Sequence, residues 1–184
     1  MSHPELFVLR HGETEWNVEG RLQGALDSPL TVEGRKQAVR QAAILQGTLL
    51  TAPIFTSPQG RALETAHIVA QQTGAELFES PLLREISMGD WDGKLVSEVA
   101  PDAPDDPVLW KFEAPNGERL HDLKARLVVF LKGLDGPAVV VTHGVTSRVL
   151  RAMVLGIPEN ALAAMPGGQG VIFHLRDGVY QKLT

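Results

Sequence analysis

The chain of 184 residues is predicted to adopt an α/β fold with a mostly parallel central sheet, and three observations predict it. Short apolar runs alternate with longer segments of helical periodicity, the pattern of strands joined by helical crossovers. The two best runs, Leu6-Phe7-Val8-Leu9 and Ala138-Val139-Val140-Val141, are apolar enough for buried strands. Both stop abruptly on the same dipeptide, His11-Gly12 and His143-Gly144. A parallel sheet presents its ligands at the carboxyl ends of its strands.

The elements follow in order. Glu5–Leu9 is the first strand. Thr31 caps a helix running to about Gln46, with Ala38, Ala42 and Leu45 on one face. Pro53–Thr56 is a second strand. Ser57-Pro58 reads as a helix start, a capping hydroxyl followed by proline at the first helical position, and that helix stops at Gly74. Glu76–Phe78 is a third strand. The stretch at about 94–117 is an irregular insert, rich in proline and acid, with one short helix around Val108–Phe112. Its acidic run Asp102–Asp106 is a solvated loop or a lid. Asn116 caps the next helix, where Leu120, Leu123, Leu127, Phe130, Leu131 and Leu134 keep helical spacing. Ala138–Thr142 is the best strand in the chain. A helix from Gly144 to about Leu155 ends at Gly156. Val171–Leu175 and Val179–Lys182 flank Asp177-Gly178, a hairpin signal.

The totals favour one domain over residues 1–184. The 43% hydrophobic and 21% charged content is that of an ordinary globular protein. A net charge of −5 argues against general binding of nucleic acid or anionic membranes. With no cysteine there is no disulfide, thiolate metal site or cysteine nucleophile. The N-terminal residues lack a secretory pattern and no apolar run matches a membrane span, so a cytoplasmic location is expected.

Parallel, central strands ending in His11-Gly12 and His143-Gly144 place two imidazoles at one crevice. Arg10 precedes the first. Arg61 lies in the first turn of a helix that follows a strand end, where unpaired N–H groups and the helix dipole favour an anion. Two guanidiniums, two imidazoles and a helix start suit a phosphoryl group, whose oxygens accept paired N–H donors. No carboxylate-rich cage suggests a metal, and the cations can neutralise charge in its place.

The segment Leu9-Arg10-His11-Gly12-Glu13-Thr14-Glu15-Trp16-Asn17 resembles the signature of the histidine phosphatase superfamily, also called phosphoglycerate mutase-like. Further matches come in family order: Asp27-Ser28-Pro29-Leu30-Thr31, Thr56-Ser57-Pro58 with Arg61-Ala62, Leu83-Arg84-Glu85 with Gly89-Asp90-Trp91-Asp92-Gly93, and Val141-Thr142-His143-Gly144 with Arg148. The resemblance implies a three-layer sandwich with helices on both faces of the sheet. It also implies roles. His11 is the nucleophile that carries a phosphoryl group, and its attacking nitrogen must be unprotonated. Arg10, Arg61 and His143 hold the non-bridging oxygens. Asn17 adds a neutral donor, Gln23 and Gly24 line the pocket mainly through backbone groups, and Gly144 joins them in binding substrate. Glu85 protonates the leaving oxygen and then deprotonates water. It must carry a proton in the first step, so a partly apolar setting near Trp91 is expected.

Other residues read as structural. Glu13 stabilises a loop or helix. Arg148 is an ion-pair partner. His67, His121 and His174 pack or lie on the surface, and Arg119 and Lys124 form a solvated helix face. The role of Glu118 stays open.

Three functions are compatible: a phosphomonoesterase for a small soluble ester, a phosphoglycerate mutase dependent on 2,3-bisphosphoglycerate, and a silent phosphate binder. Competent residue types at every matched position disfavour the last. The insert is short and acidic, with Lys94 and Lys111 its only cations. Mutases of this family carry more basic residues there, and a long C-terminal tail that this chain lacks. Both departures favour hydrolysis of a small phosphorylated metabolite without a cofactor or metal, by a broad-specificity or an α-ribazole-type phosphatase.

Overall fold

A computed structural model describes residues 3–46, 48, 52–100, 102, 106 and 108–184. Six strands form one sheet: β1 (Leu6–Arg10), β2 (Ile54–Thr56), β3 (Leu77–Glu79), β4 (Ala138–Thr142), β5 (Ile172–Arg176) and β6 (Val179–Leu183). Their order across the sheet is β3-β2-β4-β1-β5-β6. The pairs β3–β2, β2–β4 and β4–β1 are parallel, while β1–β5 and β5–β6 are antiparallel. The predicted class is the observed one. Its hairpin turn is also as read, with Asp177 and Gly178 both at positive φ, 51° and 77°, as a tight hairpin turn demands.

The helices are α1 (Glu15–Glu19), α2 (Val32–Leu45), α3 (Gly60–Thr73), α4 (Val96–Val99), α5 (Leu120–Lys132) and α6 (Gly144–Leu155). Side chains alternate across each strand, so the central pair feeds two cores. Leu6, Val8, Ala138 and Val140 pack with Leu123 and Leu127 of α5 and Val145 and Val149 of α6. Phe7, Leu9, Val139 and Val141 pack with Ala42 and Leu45 of α2 and Ala62, Ala66 and Val69 of α3. These are three layers, helices covering both faces. Among the described residues no helix is long and apolar enough to cross a membrane.

Most predicted elements lie within a residue or two of the observed ones, and two predicted caps do not form. The helix after β2 begins at Gly60 with Gln59 at its cap and no side-chain cap bond. Ser57 turns instead toward His143, its Oγ 2.8 Å from Nε2, while accepting the Gln59 N–H at 3.3 Å. Asn116 does not cap α5, which starts at Leu120. It takes a left-handed φ of 59° and donates Nδ2 to both oxygens of Asp90 at 3.2 Å. Asparagine tolerates that conformation, so it serves a turn rather than a cap.

The insert is half anchored. Leu22 N–H donates to the Lys94 carbonyl at 2.9 Å, which ties its start to the loop after α1. A 3₁₀ turn at Leu109–Glu113 places Phe112 in the core between buried Val108 and Ala114. Most of the acidic run proposed as a lid lies outside the described residues. Arg119 is not simply solvated, since its guanidinium donates to the Phe112 carbonyl, whereas Lys124 pairs with Glu159 at 2.6 Å on the surface.

Candidate active site

The β1–β4 register sets the site. Arg10 pairs with Thr142 at the carboxyl ends, and His11 N–H donates to the Thr142 carbonyl at 2.9 Å. The next residues on both strands are therefore neighbours. The rings of His11 and His143 lie 5.2 Å apart between centroids, tilted by 56°. The chain passes from β1 to β2 and β3 on one side of β4, and to β5 on the other, so this is where the strand order reverses.

His11 is buried, with Nδ1 2.7 Å from the Gly12 carbonyl. A carbonyl only accepts, so Nδ1 carries the hydrogen and Nε2 keeps its lone pair. Burial pushes its pKa well below the usual imidazole value, and the charges of Arg10 and Arg61 push the same way against the Gly12 bond. His143 is lowered similarly, first by burial and then by Arg61, His11, Arg10 and Arg126. Gly12 is needed for close approach: a Cβ there would lie 2.3 Å from the Gly34 carbonyl oxygen.

Arg10 and Arg61 flank His11 differently. Burial lowers Arg10 to about 10, with Glu85 raising it and Arg148 and Arg61 lowering it. Its Nε is buried with no partner among the described residues. Arg61, in the first turn of α3, donates Nη1 to the Leu26 carbonyl at 2.6 Å and to Asp27 at 2.9 Å, and Nη2 to the Gly24 carbonyl at 3.1 Å. Burial is the largest influence on it and lowers its pKa, against Asp27, Glu85 and Asp92. Its Nε also lacks a partner, as does His143 Nδ1. Three unpaired buried nitrogens around two guanidiniums and two imidazoles form a place for an acceptor-rich anion.

A cleft opens over this cluster. Arg10, His11, Asn17, Arg61, Glu85 and Gly144 line it, as do Gln23 and Gly24. His143 is fully buried beside His11, with its Nδ1 among the unpaired nitrogens of the cluster. Gln23 donates Nε2 to Thr14 Oγ1 at 2.7 Å. Gly24, at φ 47°, packs so tightly on Asp92 that a Cβ would meet its carboxylate. Asp92 in turn accepts from Met88 N–H at 2.9 Å and Ala25 N–H at 3.3 Å, which ties this loop to the segment after Glu85.

Glu85 is not in the apolar setting expected for it. Its carboxylate sits at the N-terminus of α6 and accepts from Val145 N–H and Thr146 N–H, both at 3.0 Å, and from Thr146 Oγ1 at 2.9 Å. The first N–H groups of a helix need partners, and a preceding carboxylate supplies them. Trp91 instead packs against Trp110, 5.7 Å between ring centroids.

Arg148 forms no ion pair among the described residues, against the partner role read for it. It donates to the Met165 carbonyl at 3.2 Å and the Gly144 carbonyl at 3.3 Å, and it lines the cleft. Helical spacing from Gly144 was a signal for this, four residues being about one turn. Lys111 also lines the cleft, half-buried, its pKa lowered by burial first and opposed by Glu85. No local pattern marks it, because only the fold of the insert brings it there. Glu118 pairs with Arg126 at 2.7 and 3.0 Å, beyond Glu85. Glu13 accepts from Thr31 Oγ1 at 2.8 Å, the structural role read for it. His67 and His121 are exposed, and His174 stacks on Phe7 and pairs with Glu5 at 2.5 Å. Among the described residues no group of three or more metal-ligating side chains forms a cluster.

The chain is similar to known proteins in sequence and in fold. The family profile of the histidine phosphatase superfamily (branch 1) matches residues 6–177. A probable phosphoglycerate mutase GpmB of Enterobacter sp. (strain 638) is 34% identical over 171 residues, 85% of this chain and 77% of that protein. A glucosyl-3-phosphoglycerate phosphatase of Mycobacterium tuberculosis is 34% identical over 182 residues, 90% of this chain and 81% of that protein. Among solved structures, a mycobacterial glucosyl-3-phosphoglycerate phosphatase complexed with VO3 superposes with a TM-score of 0.79 at 34% identity, over 94% of this chain and 91% of that one. YhfR of Bacillus stearothermophilus gives 0.80 at 35% identity, over 96% and 94%. The chain belongs to the histidine phosphatase superfamily.

Proposed function

We propose that this chain hydrolyses phosphomonoesters through a phosphohistidine on His11, in the cytoplasm and without a metal or organic cofactor. The observation that carries the reading is the 2.7 Å bond from His11 Nδ1 to the Gly12 carbonyl. It leaves Nε2 as a lone-pair nitrogen in a cleft lined by guanidiniums. Nε2 attacks phosphorus in line, and the bond from phosphorus to the ester oxygen breaks. Glu85 gives that oxygen a proton. Glu85 then takes a proton from water, whose oxygen attacks the phosphohistidine, and the P–N bond breaks to release phosphate. Arg10, Arg61 and the Asn17 amide hold the non-bridging oxygens. His143 adds Nδ1–H, since Nε2 faces the Ser57 hydroxyl.

The leaving group of the preferred ester carries a second negative charge. Lys111 and Arg148 line the cleft beside Arg10, more cation than one phosphoryl group requires. Named relatives include enzymes of phosphoglycerate and glucosyl-3-phosphoglycerate, whose carboxylates fit such a wall. The same lysine supports a second reading, a phosphoglycerate mutase. It weakens the inference from the acidic composition of the insert, because one of the insert's two cations reaches the substrate space.

A panel of phosphate esters, assayed in chelator with and without 2,3-bisphosphoglycerate, separates these. Release of phosphate from many esters, fastest from those bearing a carboxylate, supports the hydrolase. Isomerised phosphoglycerate formed only with the bisphosphate supports the mutase. Full activity in His11→Ala, or loss of wild-type activity in chelator, overturns the mechanism.

A further inference from the structure

Asn17 lies on the cleft wall with its amide held from behind. Its Oδ1 accepts two hydrogen bonds, from the Thr14 N–H at 3.2 Å and from Gln169 Nε2 at 2.7 Å. Two donors use both lone pairs of that oxygen. The Nδ2 group is then the side of the amide left for a ligand. Were the amide turned over, a carbonyl oxygen would face the oxygens of an anion, and attraction would become repulsion.

Gln169 comes from the far end of the chain and is not left to wander. The turn before β5 is pinned by two arginines of α6. Arg148 Nε donates to the Met165 carbonyl at 3.2 Å, and buried Arg151 donates Nη2 to the Pro166 carbonyl at 2.7 Å. Gly167 lets the turn approach the Arg148 guanidinium, where a Cβ would lie 2.2 Å from a nitrogen. Gly170, at φ 70°, packs on Gln37, whose Oε1 accepts the Glu13 N–H at 2.8 Å. The loop after β1 and the turn before β5 are thus braced together on either side of the Gln169–Asn17 bond.

We propose that Gln169 is a positioning residue that holds the Asn17 amide with its N–H side toward the substrate phosphoryl group. This rests on the reading of the cleft as a phosphoryl site. It extends that reading to a residue outside every motif recognised in the sequence. Thr14 alone does not decide the orientation as strongly, because its N–H leaves the second lone pair of Oδ1 open.

The test is vanadate affinity in a double-mutant cycle on the full chain. Gln169→Glu removes the donor and sets an acceptor against Oδ1. The expected result is vanadate binding weaker by about 10-fold, with a KM rise exceeding the kcat loss, and an unchanged melting temperature. In an Asn17→Ala background the same substitution has little further effect, which separates loss of orientation from the added charge. Gln169→Ala, which adds no charge, is expected to weaken vanadate about 3-fold in the parent and not in Asn17→Ala. It carries the test if the glutamate variant folds poorly. Equal losses in both backgrounds, or unchanged affinity in both variants, overturn the proposal. If the parent chain binds no vanadate, the phosphoryl-site reading itself falls and this role with it.

Discussion

Ser57 Oγ lies 2.8 Å from His143 Nε2, both groups buried at the carboxyl ends of neighbouring strands. Ser57 also accepts the Gln59 N–H at 3.3 Å, and its own proton has two acceptors within reach, the imidazole at 2.8 Å and Gln59 Oε1 at 3.4 Å. Given to the nearer imidazole, that proton sets the His143 tautomer with hydrogen on Nδ1, a nitrogen without a partner among the described residues. Ser57→Ala is therefore expected to lower kcat/KM by about 10-fold and weaken vanadate binding, since an unmade buried hydrogen bond costs about 1–3 kcal/mol. Steady-state kinetics beside urea unfolding distinguish this from a loss of stability alone.

On the proposed mechanism Glu85 moves a proton rather than binds the phosphoryl group. Glutamine can keep one acceptor for Val145 or Thr146 but cannot donate to the leaving oxygen as an acid. Glu85→Gln is expected to cut kcat on an alkyl phosphate by about 10²–10⁴-fold. With p-nitrophenyl phosphate the loss should be much smaller, because that leaving group departs without a proton. Equal losses on both substrates would assign Glu85 a different role.

His11 and His143 make stability depend on pH. Burial and the neighbouring guanidiniums hold both rings well below the usual 6.5 in the folded chain. The unfolded chain takes up protons on them near 6.5. The unfolded state thus binds more protons below that pH, and stability rises with pH there. Their contribution is complete above 6.5 and falls as pH drops, by about 1.4 kcal/mol per unit for each ring. Urea unfolding at pH 7.5 and 5.5 should differ by about 2–3 kcal/mol in the parent. The difference should largely vanish in His11→Gln/His143→Gln.

Gly12 and Gly34 meet backbone to backbone. A Cβ on Gly12 would lie 2.3 Å from the Gly34 carbonyl oxygen, and one on Gly34 would lie 2.1 Å from the Glu13 carbonyl oxygen. No flexible side chain can yield at either contact. Gly12→Ala is expected to destabilise the fold by about 1–3 kcal/mol. It should also displace His11, so residual activity should fall further than the shift in melting temperature explains.

The elements that place the site were legible where local chemistry had no rival. The run Ala138–Thr142 matches β4 at both ends, and Gly144 to Leu155 matches α6 with Gly156 as its left-handed stop. Arg10, His11 and Arg61 were legible as a group from strand ends and a helix start, whereas Glu85 was named only through the family resemblance. What failed were readings of a residue by its nearest neighbours. Ser57 and Asn116 both have good capping chemistry, yet His143 and Asp90 compete for them across 86 and 26 residues. Glu85 was expected among apolar groups, but the N–H groups opening α6 needed its carboxylate more.

The amino-acid sequence by itself determined the class of fold, the two histidines at its crevice and the family. These depend on short-range patterns: apolar runs, helix stops and motifs of adjacent residues. Only the tertiary structure decided that Lys111 and Arg148 face the cleft, that Ser57 meets His143, and that Gln169 reaches Asn17 across 152 residues. The reason is physical. A strand's pattern is set by its own side chains, whereas the partner of a polar group is set by whichever donor or acceptor the packing brings within reach.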